Sequence, residues 1–177
     1  MKRQIKTRNL LRRKSQAGMT LIETLIALVV LMIVAVNVMA LAIVAISTTE
    51  NQGHLSARTA EYAQDKMEQL LSLAYGDSTS DTTVFPTLNT GGTGLAIGGS
   101  SDPSAPVASY VDYLDVSGNL VPSGSNWYYI RVWRVSASGT SGHLKKITVT
   151  SRVSSLIGAN SGILPQSTVV ALKSDPF

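Results

Sequence analysis

The chain has 177 residues, no cysteine and a formal charge of +4. Lys2, Arg3, Lys6, Arg8, Arg12, Arg13 and Lys14 all precede Gly18; fifteen basic residues less these seven leave eight against eleven acidic ones, so the chain beyond Gly18 is net negative by three. The length allows one domain beside an apolar segment. The missing thiol excludes disulfides, thiolate metal ligands and a cysteine nucleophile, and the absence of a basic patch beyond Gly18 argues against nucleic acid as a partner.

Residues 25–46 are near-continuously apolar, with Asn37 the only strongly polar side chain. At about 1.5 Å per residue, about 22 residues cross a hydrocarbon layer of about 30 Å. The run is too long for the h-region of a secretory signal peptide, about 7–15 residues, although Ala40-Leu41-Ala42 supplies an A-x-A-like cleavage site. The basic residues before it place the N-terminus in the cytoplasm and the rest of the chain beyond the membrane. Asn37 reads as a polar helix-packing contact or as a specific filament contact.

A lone carboxylate, Glu23, sits at the seam between basic leader and apolar run, where an ionisable residue calls for a functional account. Thr20-Leu21-Ile22-Glu23 fits a capping box, and an acid in the first turn interacts well with the helix dipole. These local roles leave unexplained why Gly18 stands just before the helix and why the basic block stops there. Cleavage between Gly18 and Met19 explains all three. It creates an α-amino group at the start of the apolar helix, one turn from Glu23, and the two opposite charges can pair within a subunit or between neighbours.

The stretch Gly18-Met-Thr-Leu-Ile-Glu23-Thr-Leu-Ile-Ala-Leu-Val-Val-Leu31 resembles the class III signal peptide of type IV pilins and type II secretion pseudopilins, over residues 12–46. The resemblance implies that a prepilin peptidase cuts after Gly18 and methylates Met19, and that Glu23 assists filament assembly. It also implies storage in inner-membrane lipid, other pilin or pseudopilin subunits as partners through the N-terminal helix, and an α+β, type IV pilin-like fold. Most pilins have phenylalanine at the first mature position. Met19 departs from that and points to a minor subunit, such as a PilV-type minor pilin or a minor pseudopilin.

The expected divisions are a leader at 1–18, a membrane and filament-core helix at 19–53, an amphipathic half of the same helix at 54–75, a Gly/Ser/Thr-rich loop at 76–106 and an antiparallel β head at 107–177. Gly53 allows a bend and Gly76 a stop. In the amphipathic half, Leu55, Tyr62, Ala63, Met67, Leu70, Leu71 and Ala74 form the apolar stripe, and Glu50, Arg58, Glu61, Asp65, Lys66 and Glu68 occupy the other faces. The loop predicts a short strand or turn near 84–85 and 95–97. Its Asp77, Asp81 and Asp102 lack EF-hand spacing and read as solvated loop acids. Strands are predicted at 107–116, 127–137, 144–153 and 167–172, giving an antiparallel sheet of about four strands packed on the helix stripe.

No catalytic constellation emerges, and no cofactor or metal is expected. His54 and His143 lack spaced ligand partners, Asp112 and Asp115 fall on opposite strand faces, and no nucleophile elbow accompanies the serines. Trp127, Tyr128, Tyr129 and Trp133 read as core against the helix rather than a stacking platform. The leading expectation is a structural minor subunit of a type IV pilus or type II secretion filament, not an enzyme. The alternatives are an uncleaved bitopic inner-membrane protein with a ligand-binding β head and an abundant major pilin.

Overall fold

The computed structural model describes residues 20–139, 142–154 and 164–175. The chain divides into two compact units, Met1–Ile46 and Ser47–Phe177. A 52-residue helix, α1 (Leu21–Ser72), contributes to both. It starts two residues after the expected Met19, which lies outside the described residues, and ends three before Tyr75; Gly53 is helical and does not interrupt it. Past Ser72 the chain turns back, with the Asp77 N–H donating to the Ala74 carbonyl at 3.1 Å.

In the second unit six strands are found among the described residues: β1 (Gly98–Gly99), β2 (Val111–Leu114), β3 (Leu120–Val121), β4 (Tyr129–Ala137), β5 (Leu144–Val153) and β6 (Gln166–Ser174). All pairings are antiparallel, in the order β3-β2-β4-β5-β6, with β1 also on β4. Four of the six answer the four predicted strands; β1 and β3 are the two-residue additions. The 144–153 prediction coincides with β5, whereas the 107–116 strand shrinks to four residues. At its start Ser109 takes a positive φ of 65° within a turn closed from Tyr110 N–H to Val107 carbonyl. At its end the Asp115 carboxylate accepts the Ser117 and Asn119 N–H groups, folding the chain back into β3.

One face of the sheet lies under α1. Ala63, Met67 and Leu70 pack with Trp133, Val135, Ile147 and Val149, while Tyr62 packs with Leu114, Tyr129 and Val153. Leu71 and Ala74, expected on the stripe, are exposed instead, because the buried face follows residues 59, 62, 63, 66, 67 and 70. Ile130 and Val132, on the other face of β4, are also buried. That resolves the ambiguous apolar pattern of this strand: it is central and covered on both sides.

The 76–106 stretch is built into this unit. Leu95 is fully buried in the larger apolar cluster, and Lys145 Nζ donates to the carbonyls of Tyr75 (2.7 Å) and Leu95 (2.9 Å). The short strand or turn expected near 95–97 is a turn at 94–95, with β1 shortly after it. Gly99 there has φ +81°, and a Cβ would sit 2.1 Å from the Trp133 carbonyl oxygen, so only glycine lets the loop backbone approach β4 this closely. Residues 84–85 are bent rather than extended, beside an isolated Asp81–Leu88 bridge.

Candidate functional site

At the start of α1 the Thr20 carbonyl accepts the N–H groups of Glu23 (2.9 Å) and Thr24 (3.2 Å), and Thr24 Oγ1 donates to the Leu21 carbonyl at 2.8 Å. Thr20 is therefore at the helix boundary, as its sequence context predicts. The reciprocal side-chain bonds of a capping box are not made among the described residues. Glu23 is exposed in the first turn, where the helix dipole favours an anion. Its carboxylate forms no ion pair or hydrogen bond among the described residues, which leaves it open to a partner from outside the described segment or from another chain.

Beyond it, every large apolar side chain from Leu21 to Ile46 is at least 48% exposed. An 18-residue window of this helix reaches a mean hydropathy of 3.0 with none of it buried. Apolar surface in water costs about 25 cal/mol per Å², and a patch of this extent marks a membrane or protein contact. Lipid or similar helices must cover it.

The second unit carries a different concentration of charge. Lys66 and Asp112 are fully buried as side chains, with Lys66 Nζ 2.7 Å from Asp112 Oδ2. Arg131, also buried, donates from Nη2 to the same Asp112 oxygen at 2.8 Å and from Nη1 to Asp65 Oδ2 at 2.8 Å. Lys66 also donates to the Thr82 carbonyl and stands 4.1 Å from the Trp133 ring centroid. Burial pushes the Lys66 pKa below the ordinary lysine value, and the Asp112 carboxylate opposes that shift.

Strand register continues this charge cluster as a polar row: Asp112 pairs across from Arg131, Arg131 from Ser151 and Ser151 from Ser167. Ser167 Oγ lies 2.9 Å from Thr59 Oγ1 on α1. The row divides the two apolar clusters, so the head core is two greasy patches separated by a polar belt. The belt is ion-paired at the Asp112 end and hydrogen-bonded at the Ser167 end, with the Ser151 hydroxyl between them unpaired among the described residues. Because a one-residue slip sends a strand's side chains to the other face, such a belt penalises every wrong register of helix on sheet.

Residues 13–36 match the family described as the prokaryotic N-terminal methylation motif, a span that includes Gly18, Met19 and Glu23. The chain therefore carries the N-terminal motif of type IV pilin-like prepilins. The motif and a helix long and apolar enough to cross a membrane together support membrane anchoring before assembly into a filament. No curated protein and no solved structure shows a significant match to the chain. Gly18 and Met19 lie outside the described residues; Glu23 is the predicted site residue that the structure positions.

Elsewhere in the chain, the acids considered for calcium serve separate turns. Asp77 accepts the Thr79 and Ser80 N–H groups and the Ser80 hydroxyl, Asp81 accepts the Thr83 N–H, and Asp102 the Ser104 N–H. Asp77 is thus a loop organiser and not a solvated acid, and the Ser80 hydroxyl bond is the main cause of its lowered pKa. Tyr129 and Trp133 are buried under α1, Tyr128 packs on Tyr129, and Trp127 faces Tyr113 with ring centroids 5.5 Å apart. These four aromatics are divided between core and periphery and form no shared stacking surface.

Lys66, like Leu71 and Ala74, stands on a different face from the one its sequence context predicts. It was expected on an outer face and stands on the buried one. The usable signal was its position four after Tyr62 and four before Leu70. A matching signal was Arg131, which alternates with Tyr129, Trp133 and Val135 on a core strand. Two core cations demand a core anion, and Asp112 is the acid flanked by apolar strand residues.

Proposed function

We propose that this prepilin is a minor structural subunit of a type IV pilus or of a type II secretion filament. The precursor sits in the bacterial inner membrane with its basic leader in the cytoplasm and its head in the periplasm. Prepilin peptidase cleaves after Gly18 and methylates Met19. The new amine and the Glu23 carboxylate of a neighbouring subunit then pair as the apolar helices leave lipid and pack together in the filament. Pairing the opposite charges offsets part of the cost of holding each in apolar surroundings and sets the axial offset between subunits.

The methylation-motif match across residues 13–36 carries this reading. It is supported by the exposed apolar helix face and by a Glu23 carboxylate that has no partner among the described residues. Met19 in place of phenylalanine favours a minor subunit. Gly18→Ala is expected to leave uncut precursor in the membrane and to abolish filament incorporation. Glu23→Ala is expected to be cut normally yet incorporated poorly. Wild-type incorporation of uncut Gly18→Ala chain would refute the processing step, and wild-type incorporation of Glu23→Ala would refute the pairing step.

A further inference from the structure

Asn37 is the one strongly polar residue within the apolar stretch 25–46. Its side chain is exposed and makes no hydrogen bond among the described residues. With Val29, Met32, Ile33 and Val36 it lines a shallow groove of about 320 Å³ on the helix surface. Taking Asn37 as an a position of a seven-residue repeat puts Val30 and Val44 at a, and Ile26, Ile33 and Ala40 at d. With isoleucine and alanine at d the apolar residues alone do not select two strands, but a single Asn at a fixes register and oligomer state. Ile33, Val36 and Asn37 are then d, g and a residues, the kind that form the hole for a facing knob.

The chemistry selects the occupant. A lipid tail offers no hydrogen bond to a carboxamide. An amide carries both donors and an acceptor and is therefore complementary to a second amide. Every copy of this chain has the same charge asymmetry and enters the membrane with the same orientation. A parallel neighbour thus brings an identical Asn to the same depth.

We propose that the membrane-stored chain pairs with a second copy of itself, in parallel, along Ile26, Val30, Ile33, Asn37, Ala40 and Val44, with Asn37 hydrogen-bonded to Asn37. Glu23 occupies the next a position toward the N-terminus, so the seam that pairs stored copies also holds the carboxylate used in assembly. This inference rests on membrane anchoring and not on cleavage.

The chain has no cysteine, which permits single-cysteine crosslinking of the full-length precursor in membranes of cells lacking prepilin peptidase. Ile33→Cys and Ala40→Cys are expected to give disulfide-linked dimers, whereas Leu28→Cys and Ala35→Cys, on the opposite face of the repeat, are not. Adding Asn37→Leu to Ile33→Cys should cut the dimer fraction about three- to thirtyfold, and Asn37→Gln should retain most of it. Equal crosslinking around the helix, no crosslinking at Ile33 and Ala40, or crosslinking untouched by Asn37→Leu would each overturn the proposal. Because the precursor is uncut throughout, any of these results leaves the processing reading standing.

Discussion

Two stretches of one helix present the same residue types to opposite fates. Leu31 is 69% exposed and Leu70 is fully buried, although both are leucines in unbroken α-helix. The first stretch is apolar on nearly every side, and its large side chains are exposed. The second confines its apolar residues to a stripe and covers them with a sheet. The difference teaches that helix propensity is common to both stretches, while the pattern of polar residues around the axis decides what must cover each. One half is written for lipid and other chains, the other for its own head.

The belt across the head core gives the largest test of that contrast. Asp112→Ala strands the buried Lys66 cation and leaves Arg131 with Asp65 as its one acidic partner, and removing one partner of a buried pair costs about 3–5 kcal/mol. Chemical unfolding followed through the fluorescence of Trp133, which touches Lys66, should record this loss. A change below about 1 kcal/mol would show that the belt does not organise the core. Leu70→Ala follows, with an expected cost of about 2–5 kcal/mol from a cavity in the larger apolar cluster.

An intermediate effect comes from pH. Burial, reinforced by the neighbouring Tyr62 and Tyr128 phenols, pushes the Tyr129 pKa up to about 12 from an ordinary 10.0. Between those values the native state holds a proton that the unfolded chain has released. The associated stability is complete below pH 10 and is lost as pH rises toward 12. Tyr129→Phe should flatten the alkaline slope of an unfolding titration, and an unchanged slope would remove Tyr129 as its cause. The smallest effect is expected for Leu31→Ala, which should alter head stability by no more than about 0.5 kcal/mol. A loss comparable to that of Leu70→Ala would erase the distinction between the two stretches.

Legibility in the sequence followed the same division. The apolar half and the methylation motif at 13–36 were visible because charge, hydropathy and motif spacing are local properties. Strand β5 was equally plain, since Ile147, Val149 and Val153 alternate with polar residues. What stayed hidden depended on distant partners. Lys66 reads as a solvent-facing lysine until Asp112 and Trp133 arrive from β2 and β4. The 76–106 stretch reads as a loose loop until Leu95 enters the core and Lys145 ties its carbonyl. The two-residue strands β1 and β3 exist only through pairing with longer neighbours, so their own residues carry little signal. Glu23 had a double meaning from the start: its place in the first turn suits a cap, yet the capping side-chain bonds are not made among the described residues.

The mass of the chain isolated from its native membrane and filament fractions tests the central claim most directly. The account predicts loss of residues 1–18 and a gain of one methyl group on Met19. A native polypeptide that retains Lys2 through Gly18 in the assembled fraction would contradict it.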